Sequence, residues 1–315
     1  MPSRHLVDPQ MESLLAMTVA MDLAAGMESP MMKALLAAPA PTSQSVDIRE
    51  VRMPGPAGAP PVRGLIYAPR AAAAPRPAVL HIHGGGYVLG APEMSAASNL
   101  DYAESFGAVV LSVDYRLAPA ARHPAPVEDC YAALAWLHAQ AGALNLDPGR
   151  IVVSGESAGG GLAAALALLA RDRGEYALAF QHLIYPMIDD RTASREDLSP
   201  YAGQFVWTPE RNRYGWSSLL GQPPGSDGVS PYAAAARAED LSGLPPAYIA
   251  CGALDLFIDE NLDYAGRLIR AGVPVEMHVY PGAPHGFHIV PEARVSRQAA
   301  RDSLAALEHA LAGAV

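Results

Sequence analysis

The feature that most restricts the fold is a repeated alternation of short apolar runs with helical patterns. Runs rich in Val, Ile and Leu occur in AVLHIHGGG, AVVLSVDYR, RIVVSGES, FQHLIYP, PAYIACG and VEMHVYPG, and most are separated by helical patterns such as GGGLAAALALLARDRG. Strands that alternate with helices in this way form a parallel sheet covered on both faces. Two earlier segments, VDIREVRMP and VRGLIYAPR, alternate apolar and polar residues around a turn and predict a hairpin. The sequence therefore predicts an α/β fold with eight strands, the first two antiparallel.

Size and charge exclude several classes of protein. The chain has 315 residues, 50% of them hydrophobic and 17% charged, so it can bury a large core. Its net charge is -10, with 22 basic against 32 acidic residues, which argues against a nucleic acid or an anionic membrane as partner. No apolar stretch is long enough to predict a transmembrane helix, and the first residues lack a secretory-signal pattern. We therefore expect a cytoplasmic protein.

Two segments fall outside the alternation of strands and helices. Residues 10–38 predict one or two amphipathic helices and hold six of the eleven methionines. Residues 188–225 contain Trp207 and Trp216 and are too many for a plain loop. We expect both segments to form a helical cap. The predicted division is N-terminal cap helices (1–45), first part of the core (46–187), cap insertion (188–225) and second part of the core (226–315).

The motif GESAG at residues 155–159 stands between the strand RIVVS and a helix. A serine nucleophile above a sheet needs a sharp turn from strand to helix, and glycines two residues before and after it avoid Cβ clashes there. The N-terminus of the following helix favours negative charge beside the serine. The motif therefore predicts Ser157 as a nucleophile. A phosphate-binding loop is excluded because no Gly-Lys-Ser/Thr follows.

A second glycine-rich motif, HGGGY at residues 83–87, ends the strand AVLHIH. Glycines at this place expose backbone N–H groups and let a substrate carbonyl approach them, as an oxyanion hole requires. We expect His83 to hold this loop through hydrogen bonds and not to react. Two donors are expected from the triglycine and a third from the residue after Ser157. The candidate donors are the N–H groups of Gly84, Gly85, Gly86 and Ala158.

A nucleophilic serine also needs a base, and the histidines that follow Ser157 supply the candidates. His285 follows the strand VEMHVY in the loop PGAPHGF and is the predicted base, with His288 as the alternative. His182 and His278 lie within strands at polar-facing positions. In α/β-hydrolases a base at the carboxyl end of a strand reaches the nucleophile above the sheet.

The acid that orients the base comes between the serine and the histidine in such enzymes. Asp255 directly follows the strand AYIACG and is the predicted acid. Asp259 and Glu260 lie where a helix begins and are interpreted as a cap and a first-turn charge. Glu156, inside the GESAG motif, is expected to brace the turn. No cluster has zinc spacing and no dinucleotide-binding motif is present, so neither a metal nor a cofactor is expected.

These motifs resemble those of a known family. The sequences HGGGY, DYRLAP, HPAPVED, GESAGGGLA and HGF are similar to those of the hormone-sensitive-lipase-like carboxylesterases, the bacterial family IV, over about residues 45–312. The resemblance implies an α/β-hydrolase fold with a helical cap, activity on short-chain carboxylic esters, no metal, and a homodimer through the edge strand. It also implies Ser157, Asp255 and His285 as the triad. One departure is Asp-Leu-Phe at 255–257, where the family usually has Asp-Pro-Leu.

Three functions are compatible with these residues. The first is hydrolysis of short- to medium-chain carboxylic esters through an acyl-enzyme. The second is hydrolysis of a related bond in an amide, carbamate or lactone by the same triad. The third is a ligand receptor on the same fold, as in plant gibberellin receptors, which lose a member of the triad that this chain retains. The predicted lining of the substrate pocket is Tyr87, Tyr185, Phe205 and Trp207.

Overall fold

The computed structural model describes residues 2–18, 23–71 and 74–313, and within them eight strands form one sheet. The strands are β1 (Val46–Met53), β2 (Val62–Pro69), β3 (Arg76–Ile82), β4 (Val109–Asp114), β5 (Leu146–Glu156), β6 (Phe180–Ile184), β7 (Ala247–Gly252) and β8 (Val275–Tyr280). Their order is β1-β2-β4-β3-β5-β6-β7-β8. β2 is antiparallel to both β1 and β4, and the other neighbours are parallel. The predicted sheet, with eight strands and an antiparallel hairpin first, is confirmed.

Helices cover both faces of this sheet. In chain order they are α1 (Glu12–Thr18), α2 (Pro30–Leu36), α3 (Ala96–Phe106), α4 (Ala125–Ala139), α5 (Ala141–Leu144), α6 (Ala158–Arg173), α7 (Pro209–Leu220), α8 (Ile258–Arg270) and α9 (Arg294–Leu311). The helices α3 and α9 pack on one face, and α4, α6 and α8 pack on the other. Right-handed crossovers in a sheet that grows in two directions from β3 place α3 on the face opposite α4, α6 and α8. Within the described ranges, no helix is both long and apolar enough to cross a membrane.

The helix α9 covers His182, a strand residue predicted to face polar surroundings. His182, on β6, is 1% exposed, and that prediction is wrong for it. Its Nδ1 lies 2.9 Å from the Ser154 hydroxyl and its Nε2 lies 2.8 Å from the Ser303 hydroxyl on α9. Burial lowers the pKa of His182 to about 4, so the ring is neutral near pH 7. His278, on the edge strand β8, is only partly buried and lies 2.7 Å from the Glu276 carboxylate.

The two segments outside the alternation contact each other and the core. In the N-terminal segment, whose residues 19–22 lie outside the described ranges, the Ser3 hydroxyl donates to the Gln204 amide oxygen of the insertion at 2.7 Å. The Asp8 N–H donates to the Gly282 carbonyl at 2.9 Å, in the loop after β8. The first residues of the chain therefore connect the insertion with the loop that carries His285.

The start of the insertion is fixed by a buried carboxyl group. Glu260, in the first turn of α8, is 3% exposed and accepts the Ile188 N–H at 2.8 Å and the Asp189 N–H at 3.3 Å. The Thr192 hydroxyl donates to it as well. Burial, with Asp189 nearby, raises the pKa of Glu260 well above its usual range. Glu260 therefore lies in the first turn of the helix, as interpreted from the sequence, but its side chain turns inward to the loop that follows β6.

Loss of this carboxyl group is expected to destabilise the fold. Glu260→Ala leaves two buried N–H groups without an acceptor, so the free energy of unfolding in urea should fall by about 2 kcal/mol or more. Asp259→Ala, at the neighbouring and more exposed position, is the matched control and should change it by less than about 0.5 kcal/mol. Equal effects of the two substitutions would contradict the role given to Glu260.

Candidate active site

Ser157 lies at the turn from β5 into α6 and has a strained backbone. Its φ of 56° and ψ of -121° lie outside the regions that residues with a Cβ normally occupy, a conformation that costs about 1–3 kcal/mol. Hydrogen bonds on both sides hold it there. The Ser157 N–H donates to the Ile184 carbonyl at 2.9 Å, and its carbonyl accepts the Met187 N–H at 2.9 Å. The turn therefore presents the serine side chain at the carboxyl ends of the strands.

The glycines of the motif are needed because backbones approach each other closely. A Cβ on Gly155 would lie 2.4 Å from the Gly159 carbonyl oxygen, and a Cβ on Gly159 would lie 2.0 Å from the Ile82 carbonyl oxygen at the end of β3. Contacts this short are sterically forbidden. The predicted reason for these two glycines, the avoidance of Cβ clashes at the turn, is thus confirmed.

Three side chains from separate strand ends form one hydrogen-bonded line. The Ser157 hydroxyl lies 2.9 Å from His285 Nε2, and His285 Nδ1 lies 2.7 Å from the Asp255 carboxylate. Asp255 is fully buried, while Ser157 and His285 are 7% and 6% exposed. A carboxylate on Nδ1 holds the imidazole with Nε2 unprotonated and facing the serine, which is the tautomer a general base needs. The structure thus brings together the three residues predicted from the sequence.

The departure in the acid loop is accommodated by packing. The Asp255 carboxylate accepts the Phe257 N–H at 3.0 Å, which fixes the carboxylate toward His285. The Phe257 ring meets the His285 imidazole edge-on, with 5.2 Å between ring centroids. The neighbouring Leu256 is fully buried against Gly203 of the insertion. Leucine and phenylalanine therefore replace the usual proline and leucine without moving the acid away from His285.

The alternative base and the alternative acid lie elsewhere. His288 is exposed to solvent, and its Nδ1 is hydrogen-bonded to the Tyr185 hydroxyl. Asp259 lies in the first turn of α8. The residue at the N-cap of this helix is Phe257, so the interpretation of Asp259 as the cap is wrong. The hydrogen bonds described for Ser157 and His285 involve neither of them.

The triglycine loop packs directly against the serine turn. A Cβ on Gly84 would lie 3.0 Å from the Glu156 carbonyl oxygen and 3.4 Å from the Ser157 Cβ. In the part of the chain that the structure describes, the N–H groups of Gly85, Gly86 and Ala158 donate to no protein acceptor. Free N–H donors next to a nucleophile can stabilise the negative charge that develops on a substrate oxygen.

Three buried rings hold this loop in place. His83 Nδ1 lies 2.8 Å from the Gly84 carbonyl, and the His83 ring stacks on Tyr115 with 4.3 Å between centroids. The Tyr87 hydroxyl donates to the Met187 carbonyl at 2.8 Å, and its side chain is fully buried. Burial lowers the pKa of His83 to about 4, so it is neutral near pH 7 and acts through hydrogen bonds, as expected.

Two of the remaining residues predicted for the substrate pocket, Trp207 and Tyr185, lie against His285. The Trp207 ring packs so closely on Gly86 that a Cβ there would lie 2.2 Å from it. The centroid of the Trp207 ring is 6.1 Å from that of the His285 ring. The Tyr185 ring meets His285 edge-on at 4.7 Å. Phe205 is 6% exposed in the insertion. Trp207 therefore covers the loop and the base together.

Sequence reasoning missed one pair beside the serine. The His81 Nε2 lies 3.1 Å from the Glu156 carboxylate, directly before Ser157 in the chain. His81 is on β3 and the sequence shows it inside an apolar run, but its partner depends on the register of β3 with β5. The two cysteines, Cys130 and Cys251, are buried, and burial raises their thiol pKa well above its usual range.

Comparison with known proteins agrees with this geometry. Residues 79–289 match the model of a family described as having the alpha/beta hydrolase fold. Esterase LipI of Mycobacterium tuberculosis is 36% identical over 78% of this chain and 77% of its own length. Carboxylesterase NlhH of the same organism is 38% identical over 80% of this chain and 78% of its own.

Solved structures that align with this chain are also esterases. The structure named bacterial heroin esterase aligns with a TM-score of 0.91 at 39% identity, over 98% of each chain. An esterase of the archaeon Pyrobaculum calidifontis aligns with a TM-score of 0.83 at 34% identity, over 96% of this chain and 98% of its own. The fold and these matches define an α/β-hydrolase. Within that class, the chain belongs to the hormone-sensitive-lipase-like serine esterases, and the resemblance inferred from its motifs is confirmed.

Substitutions can separate the two candidate bases and the two candidate acids. His285→Ala and Asp255→Asn should each lower kcat about 10⁴-fold. The first substitution removes the base. The second keeps the shape of the side chain at 255 but no longer holds His285 in the required tautomer. His288→Ala and Asp259→Asn should each lower kcat less than about tenfold. Steady-state rates on a p-nitrophenyl ester give the comparison. An inactive Asp259 variant beside an active Asp255 variant would overturn the assignment of the acid.

Proposed function

We propose that this protein hydrolyses short- to medium-chain carboxylic esters through an acyl-enzyme on Ser157. The observation that carries the proposal is the line of hydrogen bonds from Asp255 through His285 to Ser157. The triglycine loop, with its free N–H donors, packs beside this line. The names of relatives that align over most of the chain support the class of bond that is cleaved.

Each proposed step uses a group already in position. The Ser157 oxygen attacks the ester carbonyl while His285 Nε2 takes its proton, and the carbonyl oxygen becomes an oxyanion facing the Gly85, Gly86 and Ala158 N–H groups. The C–O bond to the alcohol then breaks, and His285 gives the proton to the leaving alkoxide. Water repeats the sequence on the acyl-enzyme and releases the acid. The Asp255 carboxylate keeps the imidazolium of His285 oriented.

Replacement of the nucleophile tests this proposal. Ser157→Ala should lower turnover of a p-nitrophenyl ester by about 10⁴-fold or more, while the melting temperature changes little because only a hydroxyl is lost. A phosphonate inhibitor that reacts with serine should add mass at Ser157 in the wild-type protein. A variant that kept more than about a thousandth of the rate would show that another group is the nucleophile.

The cap is proposed to limit the length of the acyl chain. Trp207 closes the space above Gly86, and Trp207 is itself fixed by a 3.0 Å hydrogen bond from its indole N–H to Asn212 on α7. The preceding residue, Val206, has φ of 58°, an uncommon conformation for a β-branched side chain. A bulky wall held this firmly leaves space for a short acyl chain and excludes a long one.

A series of p-nitrophenyl esters tests this limit. We expect kcat/KM to be highest at about four to eight acyl carbons and to fall steeply beyond about ten, because the closed cap bounds the apolar chain it can bury. Deletion of residues 1–38 should lower activity on short esters, flatten the profile and reduce stability. Full activity and an unchanged profile in the truncated protein would mean that the N-terminal helices only pack against the core.

We further propose a homodimer in which β8 of one copy pairs with β8 of another. The strand is last in the sheet order, and Val279 on it is 42% exposed. An exposed strand edge is a template for pairing with another chain. Sedimentation of the purified protein tests this proposal, and a monomer at all concentrations would refute it. The cytoplasmic location and the lack of a nucleic-acid partner stay predictions from the sequence.

A further inference from the structure

A buried aromatic ring follows Asp255 closely in the segment that joins β7 to α8. Phe257 is fully buried and occupies the position directly before α8. Its ring stands at 90° to the His285 imidazole, with 5.2 Å between the two centroids. The hydrogen bonds to Ser157 and Asp255 orient the two nitrogen atoms of His285 and do not involve this ring. The contact with Phe257 is therefore a separate constraint on the base.

The backbone of Phe257 connects this ring with the acid. The Phe257 N–H donates to the Asp255 carboxylate at 3.0 Å, and the Phe257 carbonyl accepts the Asn261 N–H of α8 at 3.0 Å. Phe257 thus orients the acid through its N–H and contacts the base through its ring. A displacement of this one residue would change the surroundings of both groups.

Buried polar groups hold the start of α8 in place. The Asn261 side chain is fully buried, and its amide donates to the Pro186 carbonyl at 2.8 Å. The Glu260 carboxyl group accepts the Ile188 N–H at 2.8 Å. Both hydrogen bonds lead to the loop that follows β6. The Phe257 ring therefore extends from a backbone that is fixed against this loop.

A second ring contacts the base from the start of the same loop. Tyr185 follows β6 directly and is 1% exposed. Its ring is inclined at 64° to the His285 imidazole, with 4.7 Å between the centroids. Steeply inclined packing of this kind is a preferred arrangement of aromatic rings. Rotation of the imidazole would disturb its packing against two buried rings, so Phe257 and Tyr185 together restrict its orientation.

The contacts of His285 with these rings do not depend on where the proton is. During acylation His285 Nε2 takes the proton of Ser157, and the Ser157 oxygen becomes bonded to the acyl carbon. The hydrogen bond from the Ser157 hydroxyl to His285 no longer exists once the hydroxyl has lost its hydrogen. The imidazolium must still donate its proton to another atom, the oxygen of the leaving alcohol. A misplacement of about 1 Å can cost about 10²-fold in rate, so an orienting contact that persists through this step has a use in catalysis.

We propose that Phe257 is a positioning residue, whose ring holds the His285 imidazole in place while the proton passes from Ser157 to the leaving alcohol. In this step the Ser157 O–H bond breaks and its oxygen bonds to the acyl carbon. The bond from the acyl carbon to the alcohol oxygen breaks, and that oxygen gains the proton from His285 Nε2. The proposal rests on the function proposed above, since Phe257 acts only through His285 as base and acid.

Removal of the ring tests the proposal, with two esters that share the same acyl group. Phe257→Leu keeps an apolar side chain and the backbone N–H but has no ring. We expect kcat/KM for an ethyl ester to fall about tenfold or more, because ethoxide leaves only with a proton from His285. For the p-nitrophenyl ester the loss should be about threefold or less, because p-nitrophenolate leaves without a proton. A smaller amount of folded protein would lower both rates by the same factor.

Three further variants serve as controls. Phe257→Tyr keeps the ring and should retain most of the rate on the ethyl ester. Phe180→Leu makes the same change at another buried ring, on the first residue of β6, and should reduce stability without changing the ratio of the two rates. Phe257→Leu combined with His285→Ala should be no slower than His285→Ala alone, because a positioning residue acts only through the group that it positions.

Several outcomes would overturn the proposal. Equal losses on the two esters in Phe257→Leu, or rates within about twofold of wild type on both, would leave Phe257 with structural support alone. A further loss in the His285→Ala background would show that Phe257 does not act through the base. If Phe257→Leu does not fold, Phe257→Met takes its place, with the same expected ratio of rates. A wild-type protein that cleaves neither ester would overturn the proposed function itself.

Discussion

The site depends on the close contact between the backbone of the serine turn and the ends of β3 and β6. Gly159 touches the carbonyl end of β3 so closely that no Cβ fits, and Ser157 is held in a strained conformation by hydrogen bonds to both sides of the end of β6. This contact places the serine above the sheet and brings the triglycine loop to within van der Waals distance of it. Strain of this kind persists only where the surrounding structure fixes it, and here two buried strands do so.

The groups that act on the serine arrive from different strands, and each is fixed by a different kind of packing. Asp255 follows β7 and is oriented by the Phe257 N–H, while His285 follows β8 and is enclosed by the rings of Phe257, Tyr185 and Trp207. The insertion is in turn fixed to the core through Glu260. The insertion and the base are therefore packed together, and a substitution in the insertion should change the surroundings of His285.

The parts that could be predicted from the sequence are those with local signals. The serine turn, the triglycine loop and the strand ends with Asp255 and His285 each follow from a few consecutive residues and the order of the elements. The contacts of His182, Glu260 and His81 could not be predicted, because each depends on a partner about 70 or more residues away or on a helix that covers the face. In strand and helix patterns, a buried polar side chain looks the same as an exposed one.

Glu156 shows how the two kinds of information combine. Its place in the motif indicated a brace for the turn, and the register of β3 with β5 identified His81 as the group that holds it. The local pattern could indicate the brace but not its partner, because the partner depends on how two strands are aligned.

The central claim, that Ser157 carries the acyl group, is tested most directly by trapping the intermediate. Rapid acid quench of the protein mixed with p-nitrophenyl acetate, followed by mass spectrometry of its peptides, measures where the acetyl group is found. The account predicts an acetyl group on the peptide that contains Ser157, formed and lost at rates consistent with turnover. An acetyl group on another residue, or hydrolysis with no acylated peptide while release of p-nitrophenol shows a burst, would contradict it.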